Sequence, residues 1–109
     1  MSEYQTANDF LIAPRLLALA KEEGEAFITF DKAAKRTNGI IPPKTREFIS
    51  LAVALTTQCP YCLDVHTRAA KKAGATAEEI AELVTIAAAV RAGATMGYGL
   101  MTLRLYEEA

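Results

Sequence analysis

Tryptophan is absent from this 109-residue chain, histidine occurs once, cysteine twice and proline four times. Without a second cysteine or histidine pair, a four-donor structural zinc site cannot be completed from these side chains. An excess of one charge is also missing: twelve Lys and Arg stand against thirteen Asp and Glu, a net charge of -1. That balance gives no broad attraction for phosphate backbones or anionic lipid, so neither nucleic acid nor a membrane is an expected partner. The longest uncharged run, Phe48 to Leu63, includes Pro60 and several polar side chains. It falls short of the roughly 18 to 20 apolar residues that a membrane span needs. Met1-Ser2-Glu3-Tyr4 shows no basic region leading into an apolar stretch, so no secretory signal is expected and the chain reads as soluble and cytoplasmic. In that compartment a close cysteine pair points to redox chemistry or metal binding rather than to a structural staple.

What the chain has in quantity is small apolar surface. Apolar residues make up 51% of it, and alanine alone occurs 21 times. The length fits one domain over residues 1–109, and a domain of this size buries only about two-thirds of the surface its unfolded chain exposes. Apolar surface is therefore left over, which predicts closely packed helices and a homo-oligomer.

Valine and isoleucine never alternate between hairpin turns, while Ala, Leu, Lys and Glu dominate, so the fold class is all-α. A first helix is expected from about Asn8 to Glu23, with Pro14 setting its start or a kink and Gly24 closing it. A second is expected from about Glu25 to Thr37, stopped by Asn38-Gly39. Ile40-Ile41-Pro42-Pro43 reads as an extended connector, since a residue before proline is pushed out of the α region. A helix from about Pro43 to Thr57 is apolar nearly all round, and another opens at Cys59-Pro60 and lasts to Lys71-Lys72, with Gly74 as its stop. Together they predict a compact multi-helix domain around a central antiparallel hairpin. Thr76-Ala77-Glu78-Glu79 has capping-box spacing and announces a long helix, which Gly93, Gly97 and Gly99 are expected to interrupt or thin. The small-residue stretch from Ala87 to Leu103 is the expected subunit contact.

Every cysteine and the single histidine fall within Cys59-Pro60-Tyr61-Cys62-Leu63-Asp64-Val65-His66. Cysteines three apart on a first helical turn share a face and can join without moving the backbone. The helix N-terminus stabilises a thiolate there. His66, four residues after Cys62, can reach back toward that sulfur as a proton acceptor or charged partner. In an antiparallel hairpin Glu47 lies about ten residues before the turn and His66 six or seven after it, so the two side chains can meet directly or through one water. A carboxylate beside an imidazole holds its tautomer, which gives a relay from Glu47 to His66 to Cys62.

Plainer roles exist for each group. Glu47 can complement its helix dipole, His66 can be an ordinary core or surface histidine, and Cys59, Cys62 and His66 can supply three of the donors of a metal site. The clustering of all the scarce reactive residues favours redox chemistry.

The pattern Glu47-x11-Cys59-x2-Cys62-x3-His66, set within Thr45-Arg46-Glu47 and Leu51-Ala52-Val53-Ala54 and followed by the joint Ala73-Gly74-Ala75-Thr76-x2-Glu79-Ile80, resembles the alkylhydroperoxidase D-like branch of the carboxymuconolactone decarboxylase family. The likeness runs from about Pro14 to Leu105. It implies an all-helical, trimeric or hexameric protein with antioxidant thiol peroxidase activity. In it Cys62 is the attacking thiolate, Cys59 the resolving thiol, and His66 and Glu47 move the proton. The thiolate opens the hydroperoxide O–O bond, a sulfenic acid forms, and the second thiol condenses with it to a disulfide. A peroxidase of that branch carries histidine immediately before its second cysteine, where this chain has Tyr61, a hydrogen-bond donor that does not take up a proton near neutral pH. The decarboxylase branch acts on a lactone without a cysteine pair, so keeping both thiols argues against that lyase. The expected partners are a small hydroperoxide and a thiol or dithiol reductant, with no cofactor and no resident metal. The alternatives are a carboxymuconolactone decarboxylase-type lyase and a non-catalytic metal-binding or structural oligomer.

Overall fold

A computed structural model describes residues 4–109, so Met1, Ser2 and Glu3, on which the expectation about a leader partly rests, lie outside it. Helices are the regular elements of the described residues, and no strand occurs among them. A short 3-10 segment, Ala7–Ile12, leads into α1 (Ala13–Leu19) and α2 (Lys21–Ala34), followed by α3 (Pro43–Thr57), α4 (Pro60–Lys72) and α5 (Ala77–Glu108).

At the centre, α3 and α4 form an antiparallel hairpin. Pro43 opens α3 at its first helical position, where a missing N–H costs no hydrogen bond. Gln58 then takes the left-handed conformation, with φ 56°, which turns the chain sharply, and Cys59 caps the start of α4. Leu51 and Ala54 from α3, Ala70 from α4, and Leu83 and Ala87 from α5 are the buried apolar residues. Leu51, Ala70 and Leu83 make one cluster, with Phe48, Leu55, Leu63, Ala75 and Ile80 packed around it. Ala70 is fully buried, so a small side chain is what allows three helices to meet there. Gly74, at φ 97°, ends α4 as the sequence leads one to expect, and Thr76 with Glu79 forms a complete capping box for α5.

Three features differ from expectation, the first two for a tertiary reason. Gly24 does not close the first helix; it lies within α2 and is buried. A side chain there would sit 2.5 Å from the Leu17 carbonyl oxygen, so the glycine serves as the place where the backbone of α1 comes against α2. The break falls instead at Ala20, which leaves the helical region at φ -123° and ψ 69°. Secondly, α2 ends at Ala34 rather than running to Thr37 and stopping at Asn38-Gly39. Arg46 of α3 donates to the carbonyl oxygens of Ala34 and Ile41, at 2.8 and 2.9 Å, and so caps α2 from outside while fixing the connector. Thirdly, α5 runs unbroken for 32 residues, about 48 Å at about 1.5 Å per residue. Glycine weakens a helix by about 1 kcal/mol relative to alanine but keeps its N–H and carbonyl, so the ladder survives at Gly93, Gly97 and Gly99. A side chain at any of these three would meet nothing within 4 Å, so no close crossing within this chain occurs there.

Only Leu83 and Ala87 of α5 are buried. By length and composition this helix could cross a membrane, and 11% of its most apolar 18-residue window is buried. Arg91 divides this apolar stretch, so no uncharged run of membrane-span length occurs in it.

Candidate functional site

The α3–α4 hairpin determines what can meet at its turn. Glu47 stands in the second turn of α3 and His66 in the second turn of α4, on the faces where the two helices pack. The His66 Nδ1 donates to Glu47 Oε2 at 2.6 Å, across nineteen residues of sequence. A carboxylate only accepts, so the proton is placed on Nδ1 and Nε2 is the nitrogen left for other partners. The two side chains are 13% and 19% exposed, so water screens the pair little.

One turn before His66, the two cysteines are joined as a disulfide with their Cα atoms 5.3 Å apart, within the range that a bridge spans without backbone movement. Cys59 is the N-cap of α4, and its sulfur accepts the backbone N–H of Cys62 at 3.3 Å. Both residues are half-buried. The arrangement therefore brings Glu47 to His66 and Cys59 to Cys62. No hydrogen bond joins His66 to either sulfur in this disulfide form among the described residues. Nor do His, Cys, Asp or Glu side chains there come together in a group of three or more that could hold a metal ion.

Tyr61, between the cysteines, points to a residue that the sequence reading left out. Its hydroxyl donates to Asp9 Oδ2 at 2.6 Å, and Phe10 stands edge-on to its ring at 5.6 Å and 72°. Asp9 also accepts the Thr6 N–H as part of the cap of the 3-10 segment. The Tyr61 hydroxyl, followed by the Thr6 N–H, holds the Asp9 carboxyl below its ordinary 3.8. In turn the Asp9 hydrogen bond, with smaller contributions from burial and from the Asp9 charge, raises the Tyr61 phenol above its ordinary 10.0. Thr6-x2-Asp9 has a legible cap spacing, but nothing in the sequence ties it to a tyrosine 52 residues away.

A groove of about 540 Å³ lies between α3 and α5 and is lined by Phe48, Ile49, Val53, Leu83, Ile86 and Val90 among others. None of Glu47, Cys59, Cys62 and His66 is on its wall. A second hollow of about 430 Å³ lies against the outer side of α4, along Pro60, Leu63, Asp64, Thr67 and Arg68, next to the cysteine turn.

Residues 21–101 match the model of the carboxymuconolactone decarboxylase family. The chain is also 36% identical over 84 residues to a Paracoccus denitrificans protein described as "Uncharacterized protein 4 in cox locus". The match covers 77% of this chain and 75% of that protein.

Proposed function

Because the chain belongs to the carboxymuconolactone decarboxylase family, we propose that it is a thiol-dependent peroxidase of the alkylhydroperoxidase D-like kind, working through Cys59, Cys62, His66 and Glu47. What carries the proposal is the 2.6 Å His66–Glu47 bond one turn below a joined cysteine pair. A lactone decarboxylase has no use for two adjacent thiols at a helix N-terminus.

In the reduced enzyme, Glu47 keeps the His66 proton on Nδ1, and Nε2 takes the Cys62 proton directly or through a water. The Cys62 thiolate attacks a hydroperoxide oxygen and the O–O bond breaks. The alcohol leaves with the proton returned by His66, and Cys62 becomes a sulfenic acid. Cys59 attacks that sulfur, water leaves, and the disulfide forms. One hydroperoxide and two thiols thus give one alcohol, one water and one disulfide. A dithiol reductant then returns two electrons and two protons by exchange, and the Cys62 N–H stabilises Cys59 as the departing thiolate.

Hydroperoxide consumption by the purified protein with a dithiol reductant tests the proposal. Turnover is expected in the wild type and loss of it in Cys62→Ser. An unchanged rate in that variant sinks the role given to the thiol, and stoichiometric zinc in chelator-free protein favours a metal-binding module instead.

We propose further that copies of this chain cover one another, as a trimer or hexamer in the reducing cytoplasm. The accessible surface is 8731 Å², against about 5,900 Å² for a globular monomer of this mass. The radius of gyration is 17.9 Å, against about 13 Å for a compact chain of this length. Part of the uncovered apolar surface lies on the far half of α5, where Met96, Tyr98 and Leu100 are each at least 70% exposed. A lipid environment suits this helix less well than a second copy. Arg91 falls inside the apolar stretch and donates to the Thr56 carbonyl at 2.9 Å, and an arginine at a bilayer centre costs about 2.5–3.5 kcal/mol on insertion scales.

A further inference from the structure

Asp9 lies ahead of the family-matched residues, yet it is bonded to the side chain next to Cys62. The tie has two components, the 2.6 Å hydrogen bond to an ionised carboxylate and the edge-on contact of Phe10. Tyr61 is one of only two residues on the arc that must close when Cys59 and Cys62 join. Resting on the thiol–disulfide reading above, we propose that Asp9, acting through Tyr61, is a positioning residue that biases the cysteine pair toward the disulfide.

Two physical effects act in the same direction. Fixing the Tyr61 side chain at its hydroxyl and at its ring edge restrains the backbone of the arc, so reduced Cys59 and Cys62 stay close and their effective concentration for one another rises. The Asp9 charge, anchored beside the first turn of α4, opposes a thiolate in the reduced form and leaves the neutral disulfide unaffected. The equilibrium concerned is balanced: two protein thiols and one glutathione disulfide give one protein disulfide and two glutathione thiols, with two electrons and two protons passing to glutathione.

The experiment equilibrates wild type, Tyr61→Phe, Asp9→Asn and the double variant with glutathione redox buffers and counts free protein thiols. Tyr61→Phe keeps the ring and removes the hydrogen bond, and the pair is expected to become about three- to tenfold harder to oxidise, the size of a charge-assisted bond felt partly in both states. Asp9→Asn is expected to move the ratio the same way, and the double variant to go little further than the larger single effect. A second measurement needs no variant. By reciprocity the segment is held more firmly when the disulfide is closed, so the amides of Phe10 and Leu11 are expected to exchange more slowly in oxidised than in reduced wild type. Wild-type ratios in all the variants, or equal exchange in the two redox states, overturn the role of Asp9 while leaving the peroxidase proposal standing. A wild-type pair that exchanges neither with glutathione nor with a dithiol overturns both.

Discussion

His66 donates from Nδ1 to Glu47 Oε2 at 2.6 Å, joining the second turn of α4 to the second turn of α3. Neither side chain is more than one-fifth exposed. The bond sets which imidazole nitrogen is available to the cysteine turn, and it also pins the two helices of the central hairpin at one register.

His66→Ala is expected to lower peroxide turnover by about a hundredfold, in the range for removing a general base. Glu47→Gln keeps the shape but removes the charge, and about a tenfold loss is expected. If both residues act on one proton, the double variant falls no further than His66→Ala. The pH dependence of Cys62 alkylation provides an independent readout, with reactivity near neutrality expected to drop in both single variants.

Leu51→Ala is expected to cost about 2–5 kcal/mol, since it removes the α3 member of the buried cluster and leaves a cavity against Ala70 and Leu83. Ala70→Leu tests the opposite error, and overpacking at this fully buried position is expected to cost about 1–3 kcal/mol. Urea unfolding at one fixed protein concentration measures both, because association contributes to apparent stability.

Gly24→Ala places a carbon 2.5 Å from the Leu17 carbonyl oxygen, a backbone atom that gives way only if α1 moves. The expected result is local: faster proteolysis between Ala13 and Ala20, with the melting of the α3–α4 hairpin little changed. A variant as protease-resistant as wild type shows that α1 does not depend on this approach.

Two pH windows follow from the charged ties. The Thr76 N–H, and after it Lys44, hold Glu79 below its ordinary 4.5, so the unfolded chain binds this proton first as pH falls. Stability from this cap is present above about pH 4.5 and is lost as pH drops through the lower folded value. Tyr61 is raised, so its contribution is complete below pH 10.0 and is lost as pH rises through its higher folded value. Spectroscopic titration of the phenols is expected to show one late-titrating tyrosine that disappears in Tyr61→Phe. Thr76→Ala, by removing the cap, is expected to cost about 1 kcal/mol at neutral pH and to flatten the acid limb of the stability curve.

Light scattering after size exclusion is expected to show a trimer or hexamer of the 11.8 kDa chain. Leu100→Glu puts a charge on a side chain that is 75% exposed within one copy. Dissociation of the assembly is therefore expected with the helix content retained. A wild-type protein that runs only as a monomer would falsify the proposed covering of α5, and detergent-dependent solubility would point to lipid instead.

Local chemistry made much of this molecule legible in its sequence. Pro43 at the head of α3, Pro60 after Cys59, Gly74 at φ 97° and the Thr76–Glu79 box act within a few residues, so their effects do not depend on the rest of the chain. The Glu47–His66 approach was also within reach, because helical rise on either side of a tight turn converts sequence distance into height along the hairpin. Other features were decided only by contacts between distant segments. Gly24 looks like a helix stop until Leu17 is seen against it, and α2 ends where Arg46 takes the Ala34 carbonyl. Asp9 joins the cysteine turn through one phenol 52 residues away. The high apolar fraction of the sequence left surface to spare, and the fold decides where it lies: only Leu83 and Ala87 of the 32-residue α5 are buried within one copy.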